Sequence, residues 1–327
     1  MWPKFIGFFF SLQGLIIRAS ECLLFFDKEA REQISLICCI FLEEMELSTI
    51  VEYYDVTLRA YKKYWYKSSN SYSLHYGLWE KDTKTLHEAL LNTNKFLAQT
   101  GRIKASDVVL DAGCGVGGSS IWLAKNIGCK VIGITLSPNQ HQEATKLAKE
   151  NGVEHLTEFY IKDYTNTGFA DGSFDVVWGV ESVCHANVKL EFLKEAYRLL
   201  KKDGILLVCD GFKKRQPQTP EEERDVHKFE EGLALPKMVL IEEFRRDVET
   251  AGFQNIKFWD KTAEVIPSCK KLYNMCRFSY PLLRLVKQFK QNSKTLEVLD
   301  KNAGAGVAQY KLVKVGIAGY GLFYGEK

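Results

Sequence analysis

The sequence predicts an α/β fold in which a doubly wound, mostly parallel, seven-stranded sheet is flanked by helices. From Val108 onward, short apolar runs alternate with helix-like segments, as a parallel sheet with crossover helices requires. The first run, Val108–Asp111, leads directly into a glycine-rich turn and a helix start. The 327 residues, 46% hydrophobic and 26% charged, are enough to fill such a core.

The elements follow from hydrophobic spacing. Met45 to Gln99 is predicted to be helical, with a turn at His75–Trp79, because apolar residues recur there every three or four positions. The predicted strands are Val108–Asp111, Lys130–Ile134, Leu156–Ile161, Phe174–Gly179, Gly204–Cys209, Asn255–Trp259 and Gly316–Tyr324. The predicted helices are Gly118–Asn126, Pro138–Asn151, Val188–Leu200 and Leu240–Ala251.

Two segments do not belong to this alternation, residues 211–237 and 263–312. Segments inserted after the carboxyl ends of strands lie over the ligand crevice in such folds, so we expect them to form a lid. The run from Phe278 to Leu285 is more apolar than a solvated loop should be. The alternative is that both segments only decorate the surface.

The turn after the first strand has the properties of a cofactor loop. Gly113, Gly115 and Gly117 can adopt positive φ, lack a Cβ, and leave main-chain amides pointing inward at the start of the next helix. A dinucleotide would also suit such a loop, but it calls for an acidic residue about 20 positions later. The second strand is instead followed by Thr135–Gln140, which contains no carboxylate, and this disfavours a nicotinamide cofactor.

Two segments together resemble class I methyltransferases that use S-adenosylmethionine (SAM): Leu110–Gly118, LDAGCGVGG, and Gly133–Gln140, GITLSPNQ. The second is similar to the branch that holds tocopherol and sterol C-methyltransferases and cyclopropane fatty acid synthases. The resemblance extends over about Tyr72 to Asp210. It implies a Rossmann-like sheet with an antiparallel last strand, a helical N-terminal cap and SAM as the cofactor.

The resemblance also implies the residues that bind SAM. A segment from Thr135 to Gln140 holds the ribose, and Asp163 accepts a hydrogen bond from the adenine amine. Asp111 orients the glycine loop or the methionine amine, and a purely structural role is the competing interpretation. The candidate cofactor-binding residues are Asp111, Gly113, Gly115, Gly117, Thr135, Leu136, Gln140, Asp163 and Tyr164.

Catalytic candidates follow the fourth strand. The resembled branch supplies an acidic residue from an E-S-x-x-H segment, which here is Glu181 to His185. We expect Glu181 to remove a proton or to stabilise a developing cation, with His185 assisting. Tyr76, in a turn that resembles the family segment closing over SAM, is the third candidate. Both Glu181 and His185 could instead merely orient the following loop.

Aromatic residues are dense in the N-terminal helical region. Their faces attract a sulfonium or a carbocation, which suits methylation of an alkene. We expect Tyr53, Tyr54 and Tyr61 to be ordinary core residues, and Trp178 to lie at the cofactor edge or in the core. The full set is Tyr53, Tyr54, Tyr61, Tyr64, Trp65, Tyr66, Tyr72, Tyr76 and Trp79.

Composition excludes several other classes. A net charge of +3, with basic residues scattered among acids, argues against a nucleic-acid partner. The nine cysteines form no C-x-x-C pair, which favours a reducing, cytoplasmic compartment and predicts neither a disulfide framework nor a metal site. The apolar residues 1–44 are too interrupted to span a bilayer. We expect them to be an extension outside the native domain or a membrane-surface helix, with the methyltransferase domain at 45–327.

The predicted reaction is methyl transfer from SAM to a small, largely apolar acceptor, with carbon as the favoured acceptor atom. N-methylation of a small amine or alkaloid is the alternative within the same fold, since fold does not settle chemistry. A non-catalytic SAM-binding or membrane-associated module is the alternative of another class. The acceptor and the oligomeric state are not determined by the sequence.

Overall fold

A computed structural model describes residues 47–66, 71–290 and 293–327, without the side chains of Tyr64 and Tyr66. The chain divides into two compact units, residues 1–49 and 50–327, and the sheet lies in the second. The expected N-terminal extension, residues 1–44, lies outside the described residues.

The predicted seven-stranded sheet is confirmed. Its order is β3-β2-β1-β4-β5-β7-β6, and β7 runs antiparallel to both of its neighbours. Strand β5 is longer than predicted, because antiparallel pairing with β7 continues as far as Lys213 opposite Ala318. The strands are β1 (Val108–Ala112), β2 (Lys130–Thr135), β3 (Thr157–Ile161), β4 (Phe174–Val180), β5 (Leu200–Lys213), β6 (Gln254–Asp260) and β7 (Ala318–Glu326).

The helices cover both faces of this sheet. Helix α1 runs over residues 47–61 and continues into a π-helical turn at Lys62–Tyr66. A short 3₁₀ turn, Val183–His185, follows β4. The other helices are α2 (Leu86–Thr100), α3 (Gly118–Asn126), α4 (Pro138–Glu150), α5 (Lys189–Leu199), α6 (Pro220–Gly232), α7 (Ile241–Thr250), α8 (Thr262–Phe289) and α9 (Lys294–Lys314).

The predicted turn at His75–Trp79 is confirmed, but the prediction of helix on either side of it is wrong over residues 71–74 and 80–85. Those residues are not helical, and helix α2 begins afresh with a capping box between Thr85 and Glu88. Tertiary contacts explain the difference. The Leu78 amide donates to the Ala89 carbonyl at 2.9 Å. At Gly77 an added Cβ would lie 2.5 Å from the Ala89 Cβ.

The two irregular segments of the sequence are largely helical. Residues 211–213 complete β5 and the rest of that segment contains α6, while the second segment folds into α8 and α9. Helix α9 packs against both α6 and α8. Helices α6 and α9 approach each other closely, because a Cβ on Gly232 of α6 would lie 2.2 Å from the Lys301 carbonyl oxygen of α9. Of the helices that the structure describes, none is both long and apolar enough to cross a membrane.

The strand order places a crevice beside β1. Connections leave β1 toward β2 on one side, whereas β4 pairs with its other side. Ligands bind at such a switch point, outside the carboxyl ends of the strands. The residues that end β1, β2 and β4 therefore face a common space.

Candidate active site

A cavity opens at the carboxyl ends of β1, β2 and β4. Of the residues predicted from sequence, it brings together all except Gly117 and Asp163. Its cofactor half is lined by Asp111, Gly113, Cys114, Gly115, Gly118, Ser119, Thr135, Leu136, Ser137, Gln140, Lys162 and Tyr164.

The glycine turn is held open toward this cavity. Gly113 and Gly115 have φ of +88° and +55°, in the left-handed region that favours glycine. The amides of Gly113 and Cys114 donate to the Ile134 carbonyl at 3.0 and 2.9 Å, which ties the turn to the end of β2. A Cβ at Gly113 would lie 2.4 Å from the Ser182 Cβ, so the turn also presses on the exit of β4.

Asp111 is buried under that turn. It accepts a hydrogen bond from the Ser120 hydroxyl at 2.6 Å, and burial raises its pKa to about 6. The contact links the end of β1 to helix α3, which is the structural role considered from the sequence. Asp111 nevertheless lines the cavity. Its position is therefore compatible both with a structural role and with orienting the glycine loop or the methionine amine.

The segment after β2 is organised by side-chain hydrogen bonds. Thr135 donates its hydroxyl to Gln140 Oε1 at 2.7 Å, and the Ser137 hydroxyl caps α4 by accepting from the Gln140 amide at 3.1 Å. The Ser137 hydroxyl also donates to Asp55 of α1 at 2.6 Å. The Gln140 side-chain nitrogen lies 4.0 Å from a Cβ added at Gly115, so this amide faces the glycine turn.

Asp163 and Tyr164 follow β3. The Asp163 carboxylate accepts from the amide and hydroxyl of Thr165, both at 2.8 Å, and it does not line the cavity. Its contact with adenine stays a prediction. Tyr164 does line the cavity and donates its hydroxyl to the Ser182 carbonyl at 2.9 Å. Gly117 is the N-cap residue of α3 and has a φ of +82°.

Glu181 lies where the cofactor half ends. The backbone φ of Glu181 is +49°, a conformation that is uncommon for a residue with a long side chain. This conformation directs the Glu181 side chain into the cavity. Oε1 accepts from the Tyr76 amide at 2.5 Å and from the Tyr320 hydroxyl at 2.8 Å. Burial raises the pKa of Glu181 to about 8, although both of these hydrogen bonds oppose the shift.

His185 is a neutral acceptor in this arrangement. Its Nδ1 faces the Ala234 carbonyl at 3.3 Å and must donate, because a carbonyl only accepts. Nε2 therefore accepts the Tyr54 hydroxyl at 2.8 Å. Burial lowers the pKa of His185 to about 4, so the ring carries no charge at neutral pH.

Tyr76 contributes chiefly through its main chain. Its hydroxyl donates to Gln309 of α9, whose side-chain nitrogen donates to the Cys269 carbonyl at 3.1 Å. Its ring lies edge-on to Tyr320 with centroids 5.9 Å apart. The phenol is thus engaged by the lid helices while the amide holds Glu181.

A buried lysine and a buried aspartate support the turn that carries His185. Lys189 donates to the carbonyls of Cys184 and Ala186, each at 2.6 Å. Asp210 accepts the Cys184 amide at 2.8 Å. Lys189 is only 5% exposed and burial lowers its pKa, while burial raises that of Asp210.

The other half of the cavity is an aromatic and apolar wall. The expectation that Tyr53, Tyr54 and Tyr61 are ordinary core residues is wrong, because all three line the cavity. Trp178 is fully buried in the core instead of lying at the cofactor edge. Helices α6 and α8 and the segment after α6 provide the apolar part of the wall, which consists of Phe229, Leu233, Leu235, Met238, Val239 and Leu272.

Sequence reasoning missed several of these residues. Tyr320 lies 139 positions from Glu181, and Asp55 lies 82 positions from Ser137, so no local pattern links either pair. Among the described residues, no group of three or more His, Cys, Asp or Glu is placed to hold a metal ion.

This strand order, glycine turn and crevice define the class I methyltransferase fold. The chain belongs to the mycolic acid cyclopropane synthetase family, whose model matches residues 43–258. The resemblance to that branch of methyltransferases is confirmed.

Individual relatives agree with this assignment. The chain is 40% identical over 147 residues to 2-methyl-6-phytyl-1,4-hydroquinone methyltransferase of Synechocystis, a match that covers 44% of this chain and 45% of the relative. It is 30% identical over 193 residues to sarcosine/dimethylglycine N-methyltransferase of Halorhodospira halochloris, covering 59% of this chain and 68% of the relative. The matched region thus spans about half the length of the first relative.

A solved structure shows the same fold. The [4+2]-cyclase SpnF superposes with a TM-score of 0.70 at 20% identity, covering 85% of this chain and 94% of its own. The name of that protein shows that this fold also serves chemistry other than methyl transfer.

The cofactor of this family is S-adenosylmethionine, and the cavity fits it. The glycine turn lines the cavity through Gly113, Gly115 and Gly118 at the start of α3, where helix N-terminal amides favour polar or anionic ligand groups. Gln140, with Thr135 beside it, presents polar groups to the cofactor half of the cavity. Gly113, Gly115, Asp111, Thr135 and Gln140 are the residues that would hold SAM.

Proposed function

We propose that this protein transfers a methyl group from SAM to a carbon atom of a small, largely apolar acceptor of the prenyl, sterol or tocopherol type. One observation carries the proposal. A buried carboxyl group, Glu181, lies where the cofactor half of the cavity meets an aromatic and apolar wall. An acid in that position is suited to a reaction that develops positive charge on carbon and then loses a proton.

SAM supplies an electrophilic methyl group, so the chain needs to hold the acceptor in line and to exclude water. The wall from Phe229 to Val239 removes apolar acceptor surface from water. The faces of Tyr54, Tyr61 and Tyr76 stabilise positive charge. These residues supply positioning and electrostatics, and Glu181 supplies the site for a proton.

The hydrogen bonds of Glu181 assign its two oxygens different roles. Both donors, the Tyr76 amide and the Tyr320 hydroxyl, contact Oε1. Oε2 is therefore the oxygen that takes up a proton from the acceptor when Glu181 is ionised, and it carries that proton in the neutral acid that results. His185 can take up a proton only through Tyr54, because its Nε2 already accepts the Tyr54 hydroxyl and its Nδ1 faces the Ala234 carbonyl.

N-methylation is the alternative, and one observation favours it. The tyrosine-rich wall suits a cationic amine as well as a carbocation, and a relative of this chain is named as an N-methyltransferase. The wall around Leu233 and Met238 favours a hydrocarbon over a small polar amine. A non-catalytic SAM-binding or membrane-associated module, the alternative of another class, would give no product in any of the assays below.

The decisive experiment uses SAM labelled in its methyl group. Purified full-length protein is incubated with it and with a prenylated hydroquinone, a sterol and a sarcosine-type amine, each separately. We expect label on carbon of one of the first two acceptors, located by mass spectrometry and NMR. Glu181→Gln serves as the control for enzymatic origin. Label only on the amine nitrogen would replace C-methylation by the alternative.

The proposal includes a reducing, cytoplasmic setting, a small-molecule acceptor and no nucleic-acid partner. It is supported by the described cysteines, which are free thiols at positions 114, 129, 184, 209, 269 and 276. The small net charge of +3 gives no basic surface excess for nucleic acid.

A further inference from the structure

Helix α8 carries an apolar stripe that lies on the surface. Phe278, Leu282, Leu285 and Phe289 are 70%, 61%, 51% and 81% exposed in the described structure. Their spacing of four, three and four residues places them on one face of the helix. The other face is the packed one, since a Cβ on Gly306 of α9 would lie 2.3 Å from the Cys276 sulfur.

The stripe is embedded in positive charge. From residue 265 to residue 296 the sequence contains seven lysines and arginines and no aspartate or glutamate. The Arg277 guanidinium lies 4.4 Å from the centroid of the Phe278 ring, and that of Arg284 lies 5.8 Å from the Tyr280 ring. Of these cations, Lys287 pairs with Asp300 of α9 at 3.2 Å. An apolar stripe with arginine and lysine beside it is typical of helices that lie in a membrane interface.

We propose that this stripe docks α8 on the surface of an anionic lipid bilayer. At about 1.5 Å per residue the stripe is roughly 17 Å long, which suits a helix lying in the interface and is too short to span a bilayer. A second copy of the same face would place the cations beside the stripe, such as Arg277 and Arg284, against like charges, so self-association is disfavoured. Anionic headgroups instead complement the charge while the rings and leucines enter the acyl boundary.

The same helix pair reaches the cavity. Leu272 of α8 and Asn302, Gly306 and Gln309 of α9 line it. Docking would therefore bring a wall of the cavity close to the lipid phase, where apolar acceptors dissolve. The docking itself depends only on the surface of α8 and not on the reaction that the cavity performs.

The test is sedimentation of the full-length protein with vesicles. We expect the protein to bind vesicles of phosphatidylglycerol and phosphatidylcholine, and to bind phosphatidylcholine alone weakly. Leu282→Ser with Phe289→Ser should lower the partition coefficient by at least about tenfold, since two apolar anchors are lost. Val315→Ser, which changes a residue 50% exposed outside α8, is the matched control and should bind as the wild type does.

Charge is tested separately. Arg284→Gln with Lys290→Gln should weaken binding to the anionic vesicles several-fold, and binding of the wild type should fall as salt is raised. SAM affinity is measured by calorimetry on every variant and should stay unchanged. An unchanged affinity shows that the variant is folded. If the double serine variant lost SAM affinity, Phe289→Ser alone would replace it, because Phe289 is 81% exposed.

Four results would overturn the proposal. The first is a wild-type protein that stays in the supernatant at every lipid composition, and the second is a double serine variant that sediments as the wild type does. The third is a wild-type dimer in solution that this variant converts to a monomer, which would make the stripe a contact between copies. The fourth is binding to soluble polyglutamate but not to vesicles, which would assign the face to an acidic polypeptide. None of these outcomes bears on methyl transfer, which the labelled-SAM assay measures by itself.

Discussion

Glu181 and Gln140 lie in different halves of the cavity, so their substitutions should separate catalysis from cofactor binding. Glu181→Gln preserves size and removes the ionisable group. We expect the methyl-transfer rate to fall by about 10² to 10⁴, with SAM affinity within a few-fold of the wild type. Gln140→Ala should weaken SAM binding and affect turnover less at saturating SAM. Single-turnover kinetics and calorimetry measure the two quantities.

Normal turnover of Glu181→Gln with the true acceptor would contradict this assignment. Glu181 would then be a residue that positions the loop through its bond with the Tyr76 amide. In that case Tyr54→Phe and His185→Gln become the informative variants, because the Tyr54 hydroxyl and His185 form the other proton-accepting pair in the wall.

The buried carboxyl also predicts how stability depends on pH. Burial raises the pKa of Glu181 from 4.5 to about 8, so between these pH values the folded state holds a proton that the unfolded chain releases. Stability contributed by the neutral acid is therefore complete below about pH 4.5 and is lost as pH rises toward 8. Glu181→Gln removes this dependence.

Denaturant unfolding between pH 5 and pH 9 tests the prediction. We expect the stability of Glu181→Gln relative to the wild type to increase with pH up to about pH 8 and to level off above it. A difference that stays constant with pH would show that Glu181 is ionised in the folded protein throughout. Tyr320→Phe, which removes one hydrogen bond to Oε1, should raise the pKa of Glu181 further and shift the transition to higher pH.

At the level of elements, the turn between β1 and α3 is the most constrained connection of the site. Gly115, at φ +55°, lines the cavity, whereas Gly152, at φ +69°, follows α4 with open space around it. A branched side chain should strain the backbone equally at both, by about 1–2 kcal/mol. Gly115→Val should in addition abolish SAM binding, because its side chain would occupy the cofactor half of the cavity.

Gly152→Val is thus the control for backbone strain. Thermal unfolding should show similar losses of stability for the two variants, and calorimetry on metal-stripped protein should show SAM binding only for the wild type and Gly152→Val. Retention of SAM affinity by Gly115→Val would place the cofactor elsewhere. Binding of a nicotinamide dinucleotide in place of SAM would contradict the cofactor assignment as well.

At the scale of the whole molecule, we expect a chain that begins at Met45 to keep methyl transfer. The family model begins to match at residue 43, and the described residues that line the cavity all lie at or after Ile50. The measurement compares specific activity and SAM affinity of the shortened and full-length proteins. Loss of soluble expression on shortening would show that the earlier residues contribute to the fold.

Vesicle binding by the shortened protein extends this comparison. If α8 provides the docking surface, the protein that begins at Met45 should still sediment with anionic lipid. Binding that disappears with residues 1–44, while Leu282→Ser with Phe289→Ser has no effect in the full-length protein, would assign membrane association to the N-terminal extension.

The sequence by itself determined the features that depend on local chemistry. The alternation of apolar runs and amphipathic segments specified the sheet and its helices, since burial patterns repeat with the period of each element. The glycine turn and the stretch from Thr135 to Gln140 specified the cofactor half, because main-chain conformation and helix capping are set by neighbours in the chain. Glu181 and His185 were predictable because their strand ends beside that half.

Only the tertiary structure decided the electrostatics and the acceptor half. The pKa of Glu181 depends on burial and on Tyr320, and the protonation of His185 depends on burial and on Ala234. The conversion of two charged, irregular segments into α6, α8 and α9 depends on their close mutual packing. These properties arise from contacts between residues tens to hundreds of positions apart, whose desolvation and hydrogen bonding no local pattern encodes.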